Sequence, residues 1–356
     1  MKQPLLWRRD FILSIATGLT AMKAGFLPYP AHAQPVSTSP EPNAPLRVVD
    51  FHNHFLGPAF TPIVGGRNPP PALAAYFAEV NRSLADTQAL LSSIELGGVA
   101  ARVINTPLEF IQDPDGDVAL DMVRRINDQL AELVSRQPGR LFGLATVDAY
   151  GGEDSALELN RAVRELGLRG VFVASAKKDL LLDAPQARPT LAAAAELGVP
   201  VFVHPITDAQ LRQRLGRYGR PGTTVNRGTI NSAALIALLE SGTFDELPRL
   251  RVVVTTLAVG GILLTVAFGE GRYRTDAYAM LRRHVYVDTM RLHPMLMRAT
   301  IEALGADHVL AGTDWPIYPE RDIPQRLSSA LNAAGLSRSE QRLIASDNTM
   351  RLLGLS

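Results

Sequence analysis

Short apolar runs rich in Val, Ile and Phe recur at wide intervals: Arg47 to Phe51, Ala101 to Asn105, Leu141 to Val147, Gly170 to Val173, Pro200 to His204, Arg251 to Thr256, His284 to Asp288 and His308 to Gly312. Most are continuous rather than alternating, the pattern of strands buried on both faces. Between them lie segments of helical periodicity, among them Val118 to Gln137, Ser155 to Leu166, Ala187 to Leu197, Asn231 to Ser241 and Pro294 to Leu304. Gly167, Gly198, Gly242 and Gly305 follow such segments where a left-handed helix cap is expected. Eight strand–helix repeats predict an α/β fold, the (β/α)8 TIM barrel, as a single domain over 46–356. A doubly wound open sheet is the runner-up, and the lack of a Gly-x-Gly-x-x-Gly after an early strand argues against it. Two connections exceed a simple βα loop: Phe55 to about Ala75 after strand 1, and the arginine-rich Pro205 to Gly228 after strand 5. Long insertions of this kind commonly cover the catalytic face of a barrel.

The first 33 residues do not share this pattern. Arg8-Arg9 precede a mildly apolar stretch from Phe11 to about Leu27, and Ala31-His32-Ala33 offers small residues at the positions a signal peptidase reads. Lys23 and the short length disfavour a membrane span. The expectation is a twin-arginine-type signal cleaved near Ala33, export to the periplasm, and no stable membrane insertion afterwards. Residues 34–45, rich in Pro, Ser and Ala, read as a linker. The whole chain carries 36 basic and 35 acidic side chains, net +1. The leader holds Lys2, Arg8, Arg9 and Lys23 against Asp10, so 32 basic and 34 acidic residues remain, net −2. Neither value suggests a nucleic-acid partner. Cysteine is absent, which excludes disulfides, thiolate metal sites and a cysteine nucleophile and leaves His, Asp and Glu as metal ligands.

In a barrel, side chains at the C-terminal strand ends face the active site. Those ends read Asp50-Phe51-His52-Asn53-His54 for strand 1, Val203-His204-Pro205 for strand 5, Val287-Asp288-Thr289 for strand 7 and Gly312-Thr313-Asp314-Trp315-Pro316 for strand 8. The two-residue spacing of His52 and His54 puts both imidazoles on one strand face. With His204 and Asp314 they make a three-histidine, one-carboxylate set that suits a single divalent metal, zinc ahead of manganese. A metal there would act as a Lewis acid, with Asp314 placed to be both ligand and proton acceptor or donor. His284 and His308 fall at strand starts and read as structural. Arg291 and Arg67 are candidates for binding a substrate carboxylate, and His293 for an additional imidazole near the metal. Asp288 reads as an orienting group rather than a catalytic one.

His52-x-His54, Val203-His204-Pro205 and Gly312-Thr313-Asp314-Trp315-Pro316 resemble the amidohydrolase-related family (amidohydrolase family 2), which includes aminocarboxymuconate-semialdehyde decarboxylase. Leu239 to Gly242, Leu247 to Leu250, Val285 to Thr289, Ile301 to Gly305 and Asn348 to Leu355 extend the resemblance over most of the chain from Arg47. It implies a metal-dependent barrel enzyme acting on a small molecule, first a nonoxidative decarboxylase of a carboxylated aromatic or enoic acid, alternatively a hydrolase of a lactone, ester or amide. Barrels of this kind often pair, which leaves a homodimer open. One departure stands out. The family's sixth strand normally ends in a histidine followed by glycines, whereas this chain reads Val254-Thr255-Thr256-Leu257-Ala258-Val259-Gly260-Gly261. Neither Thr256 nor Val259 titrates near neutrality, so a divergent, non-catalytic binding protein is a further alternative.

Overall fold

The computed structural model describes residues 45–66, 69, 71–113, 116–268 and 277–355, all within the compact unit Ala44–Ser356. The leader and, apart from Pro45, the linker lie outside the described residues, as does Arg67. The strands are β1 (Val49–His54), β2 (Ala101–Asn105), β3 (Leu141–Gly143 with Ala145–Thr146), β4 (Val171–Ala174), β5 (Pro200–His204), β6 (Arg251–Val254), β7 (Val285–Asp288) and β8 (Val309–Leu310). Each pairs in parallel with the next; β3 changes partner at Leu144, its first segment pairing with β2 and its second with β4. The ring closes where β8 meets β1. Phe51 N–H donates to Ala311 O at 2.7 Å, Asp314 N–H to His52 O at 2.8 Å and His54 N–H to Trp315 O at 2.8 Å. The eight-stranded barrel expected from the apolar runs is the fold.

Helices α1 (Ala74–Ala85) and α2 (Thr87–Gly97) follow β1, α3 (Leu120–Ser135) follows β2, α4 (Gly152–Arg164) follows β3, and α5 (Arg188–Leu197) follows β4. Next come α6 (Ala209–Leu215), α7 (Gly219–Glu240) and α8 (Thr243–Glu246) after β5, and α9 (Val259–Phe268) and α10 (Ala277–His284) after β6. The chain ends with α11 (Pro294–Leu304) after β7 and α12 (Ile323–Ala333), α13 (Arg338–Arg342) and α14 (Asn348–Leu352) after β8. The strands bury both faces. Val49, Phe51, Val103, Leu144, Phe172 and Phe202 fill the barrel, while Ile104, Val171, Val201, Val252 and Val287 pack outward against Leu130, Leu159, Leu191 and Leu235 of the helices. No helix among the described residues is long and apolar enough to cross a membrane.

The connection after β5 is long, as expected, but it is helical rather than a loop. Asp208 caps α6 by accepting from Leu211 N–H at 2.6 Å. Pro221 sits in the first turn of α7, where its missing N–H is not needed. Gly222 is required for packing, because a Cβ there would lie 2.0 Å from Leu215 O. The residues that read as helix breakers are the ones that let α7 start against α6.

A β-bulge in β1 sets the phase of the site. Asp50 pairs with Arg102 and Asn53 with Ile104, so β1 spends one more residue than β2 over the same span. Phe51 and His52 are adjacent, yet both rings meet Phe202 inside the barrel, at centroid distances of 5.2 and 4.9 Å. Asp50 and Asn53 turn outward and accept hydrogen bonds from the fully buried Arg102. Arg102 also donates to Ser93 O in α2 at 3.1 Å, and Thr313 Oγ1 donates to Asp50 at 2.7 Å. This buried pair ties β1, β2, α2 and the end of β8 together directly behind the histidines.

Candidate metal centre

His52 and His54 leave the end of β1, and His204 ends β5. All three are buried, and one nitrogen from each lies within 4.8 Å of the others. Their rings pack edge to face: His54 and His204 centroids are 4.8 Å apart, His52 and His204 5.5 Å. Phe172 and Phe202 supply an apolar floor, with Phe172 5.1 Å from His204 and 5.8 Å from His54.

The outer nitrogens are committed. His52 Nδ1 bonds Asp288 Oδ2 at 2.5 Å, and His54 Nδ1 bonds Asn105 Oδ1 at 2.8 Å. With those Nδ1 protons donated outward, each ring in its neutral form presents an Nε2 lone pair inward. The two Nε2 atoms are 3.2 Å apart. Asp314 Oδ1 lies 3.5 Å from His52 Nε2 and 3.2 Å from His54 Nε2, and it is buried without a hydrogen bond. Acceptors that converge without a donor call for a cation at their centre. The donor set, imidazole nitrogen plus carboxylate oxygen, fits a divalent metal such as zinc or manganese.

The electrostatics agree with this arrangement. Burial disfavours charge on His52, but the Asp288 and Asp314 carboxylates outweigh it and raise its affinity for a proton. Burial holds His54 below the ordinary imidazole range and pushes His204 well below it, with the neighbouring His54 and Arg227 adding to the second shift. Two of the three ligand candidates are thus held in the neutral form a metal needs.

Asp288 has a wider orienting role than its strand-end position suggested. Its other oxygen accepts from Thr256 N–H at 2.9 Å and Met290 N–H at 3.1 Å, so one carboxylate fixes His52, the β6 end and the β7 end. Thr256 therefore borders the site, whereas Val259 is packed in the core outside the barrel. No imidazole comes from β6. Nor does His293 supply one next to the centre in this structure: it is exposed at the position that starts α11 and makes no capping bond. Arg291 is exposed too, its guanidinium 4.5 Å over the Tyr318 ring, with Arg220 at 4.8 Å over the same ring. His284 and His308 sit at the other end of the strands as expected, bonding Leu250 O at 2.6 Å and Val285 O at 2.7 Å and stacking on Phe244 and Tyr286.

Sequence reasoning missed Asn105 and Glu109. Asn105 ends β2, and an Asn there carries no signal until its partner is known. Glu109 lies on a short turn after β2, Leu108–Phe110, and receives a two-pronged contact from Arg227 of α7 at 3.2 and 3.3 Å.

The chain is 26% identical over 293 residues to the 2-amino-3-carboxymuconate-6-semialdehyde decarboxylase of Dictyostelium discoideum, covering 79% of this chain and 80% of that protein. It is 26% identical over 303 residues to a gamma-resorcylate decarboxylase of Rhizobium sp., covering 79% and 91% respectively. The fold superposes with a TM-score of 0.73 on a dihydroxybenzoic acid decarboxylase from Polaromonas sp. JS666 with bound manganese and 2-nitroresorcinol, at 22% identity over 87% of this chain and 97% of that one. The family model described as amidohydrolase matches residues 49–355, nearly the whole described unit, and the chain belongs to the amidohydrolase family.

Proposed function

We propose that this protein is a metal-dependent nonoxidative decarboxylase of a carboxylated aromatic or enoic acid. The observation that carries the reading is the convergence of His52, His54, His204 and the unsatisfied Asp314 Oδ1 at the mouth of the barrel. Two relatives of that reaction class, similar over most of their length, supply the reaction type. The three imidazoles and Asp314 would hold the ion, zinc or the manganese found in the Polaromonas relative. A bound divalent ion supplies Lewis acidity and a fixed positive charge for substrate oxygens.

The chain's own groups do the rest. Asp288 and Asn105 hold the His52 and His54 rings in register. Phe110, 5.9 Å from His54, and Phe172 offer flat apolar walls to an aromatic ring and exclude water. Asp314 carries the proton that ends on the carbon bearing the carboxylate. The carbon–carboxylate bond then breaks, its electron pair returns to the π system, CO2 leaves, and Asp314 regains a proton from water. Thr256 replaces the imidazole expected from β6 and has no acid–base role, which concentrates proton transfer on Asp314.

The reading includes export through the Arg8-Arg9 leader and a homodimer. The test of function is a screen of the metal-loaded protein against carboxylated phenols and enoic acids for CO2 release, beside a panel of lactones, esters and amides. CO2 release abolished in Asp314→Asn supports the decarboxylase. Turnover confined to the lactone, ester and amide panel would replace it with the hydrolase.

A further inference from the structure

The contact between Arg227 and Glu109 stands at the edge of the metal centre and has no role in the steps above. Arg227 Nη1 lies 3.3 Å from Glu109 Oε2 and Nη2 3.2 Å from Oε1, so the guanidinium fork meets a carboxylate. The same Nη2 is 3.5 Å from His204 Nδ1, and Glu109 Oε1 is 3.7 Å from that nitrogen. Both side chains keep about a fifth of their surface open, Arg227 20% and Glu109 19%.

Three features distinguish this pair from a structural ion pair. The contacts are longer than the roughly 2.7–2.9 Å usual for a charge-assisted N–H···O⁻ bond, so the pair is loose. The buried Asp50–Arg102 pair behind the histidines, by contrast, is fully enclosed and closely bonded. Glu109 rests on a three-residue turn beside Phe110, whose ring faces His54, and its carboxylate stands 3.7 Å from His204 Nδ1 at the rim of the metal centre. Finally, Arg227 Nη1 also donates to Thr207 Oγ1 at 3.4 Å, a contact that does not depend on Glu109.

We propose that Arg227 is the carboxylate-recognition residue of this site and that Glu109 is its internal stand-in, displaced when an acid substrate binds. The inference deepens the decarboxylase reading and rests on it for the identity of the ligand. An incoming carboxylate takes the two guanidinium donors, and Glu109 swings to solvent. Arg227 thus selects acids over their neutral analogues, and Glu109 weakens binding of all acids by competing for the same fork.

The experiment measures binding, not turnover, on the manganese-loaded full-length chain. The probes are benzoate, a carboxylate with no ring hydroxyl to activate its decarboxylation, and benzamide, its neutral isostere. The wild type should prefer benzoate. Arg227→Gln should lower benzoate affinity about tenfold or more and leave benzamide unchanged, since charge-assisted contacts are lost from one probe only. Arg227→Lys, which keeps the charge and loses the fork, should fall between. Glu109→Gln should tighten benzoate severalfold with benzamide unchanged. A benzoate-to-benzamide ratio that is the same in wild type, Arg227→Lys and Glu109→Gln overturns the inference even if CO2 release from carboxylated phenols is observed. A ratio that follows Arg227 while no acid releases CO2 keeps carboxylate recognition and removes the decarboxylase reading.

Discussion

The three buried imidazoles respond to pH in opposite directions. His54 and His204 take a proton less readily in the folded chain than at the ordinary value of 6.5, because burial disfavours the charge. The unfolded chain therefore binds more protons just below that value, and their contribution to stability is lost as pH falls from about 6.5. His52 has the opposite sign: its affinity for a proton is raised by Asp288 and Asp314, so its contribution is present below 6.5 and lost as pH rises through the folded value. His204, held well below the ordinary value, should contribute a loss of melting temperature as the metal-free protein is acidified below 6.5. His204→Asn should flatten that dependence; thermal melts across the range check it, and an unchanged slope would deny His204 its part. At the same scale, Asp288→Asn removes the carboxylate that fixes His52 Nδ1 and should weaken metal affinity by about 10–100-fold with the barrel still folded. A metal titration followed by circular dichroism reads both. His52, His54 and His204 were legible in the sequence because histidine is scarce, seven in the chain, and these three fall at strand ends; Asp314 was legible by its place at the end of the last strand. Asn105 and Glu109 were not, because a common polar residue becomes informative only when its partner across the barrel is known.

Elements explain how those side chains reach one point. The bulge in β1 lets Phe51 and His52 both face inward, and alternation along a regular strand would have set them on opposite faces. That register depends on pairing with β2, some fifty residues away, and nothing local in the segment announces it. The close fit of β8 is equally hidden. A Cβ on Gly312 would lie 2.9 Å from His52 Cβ and 3.0 Å from Asp288 Cβ. Gly312→Ala should therefore push the His52–Asp288 pair apart and cost roughly tenfold in metal affinity, measured by competition with a chelator. Full affinity in that variant would show that the pair tolerates displacement. Behind the site, Asp50→Ala leaves the Arg102 guanidinium buried without its partner and should cost about 3–5 kcal/mol in denaturant unfolding. The apolar runs revealed the strands, but α6 and the first turns of α7 were concealed by Gly219, Pro221 and Gly222, whose purpose is close packing rather than chain reversal.

On the scale of the whole molecule, the barrel order was readable because most strands are buried on both faces and leave a continuous apolar run. The leader is a separate matter of addressing. Arg8→Lys with Arg9→Lys should abolish export while the purified protein keeps its fold and metal affinity; fractionation of cells expressing both forms measures this, and unchanged export would remove the twin-arginine assignment. Function in this barrel depends on one point, that His52, His54, His204 and Asp314 form a metal centre. Elemental analysis of the purified full-length chain, expressed with zinc and manganese both supplied, tests it most directly. The expected result is a single divalent ion per chain, lost in the His52→Ala, His54→Ala double variant. A wild-type protein that is folded and free of metal would contradict it.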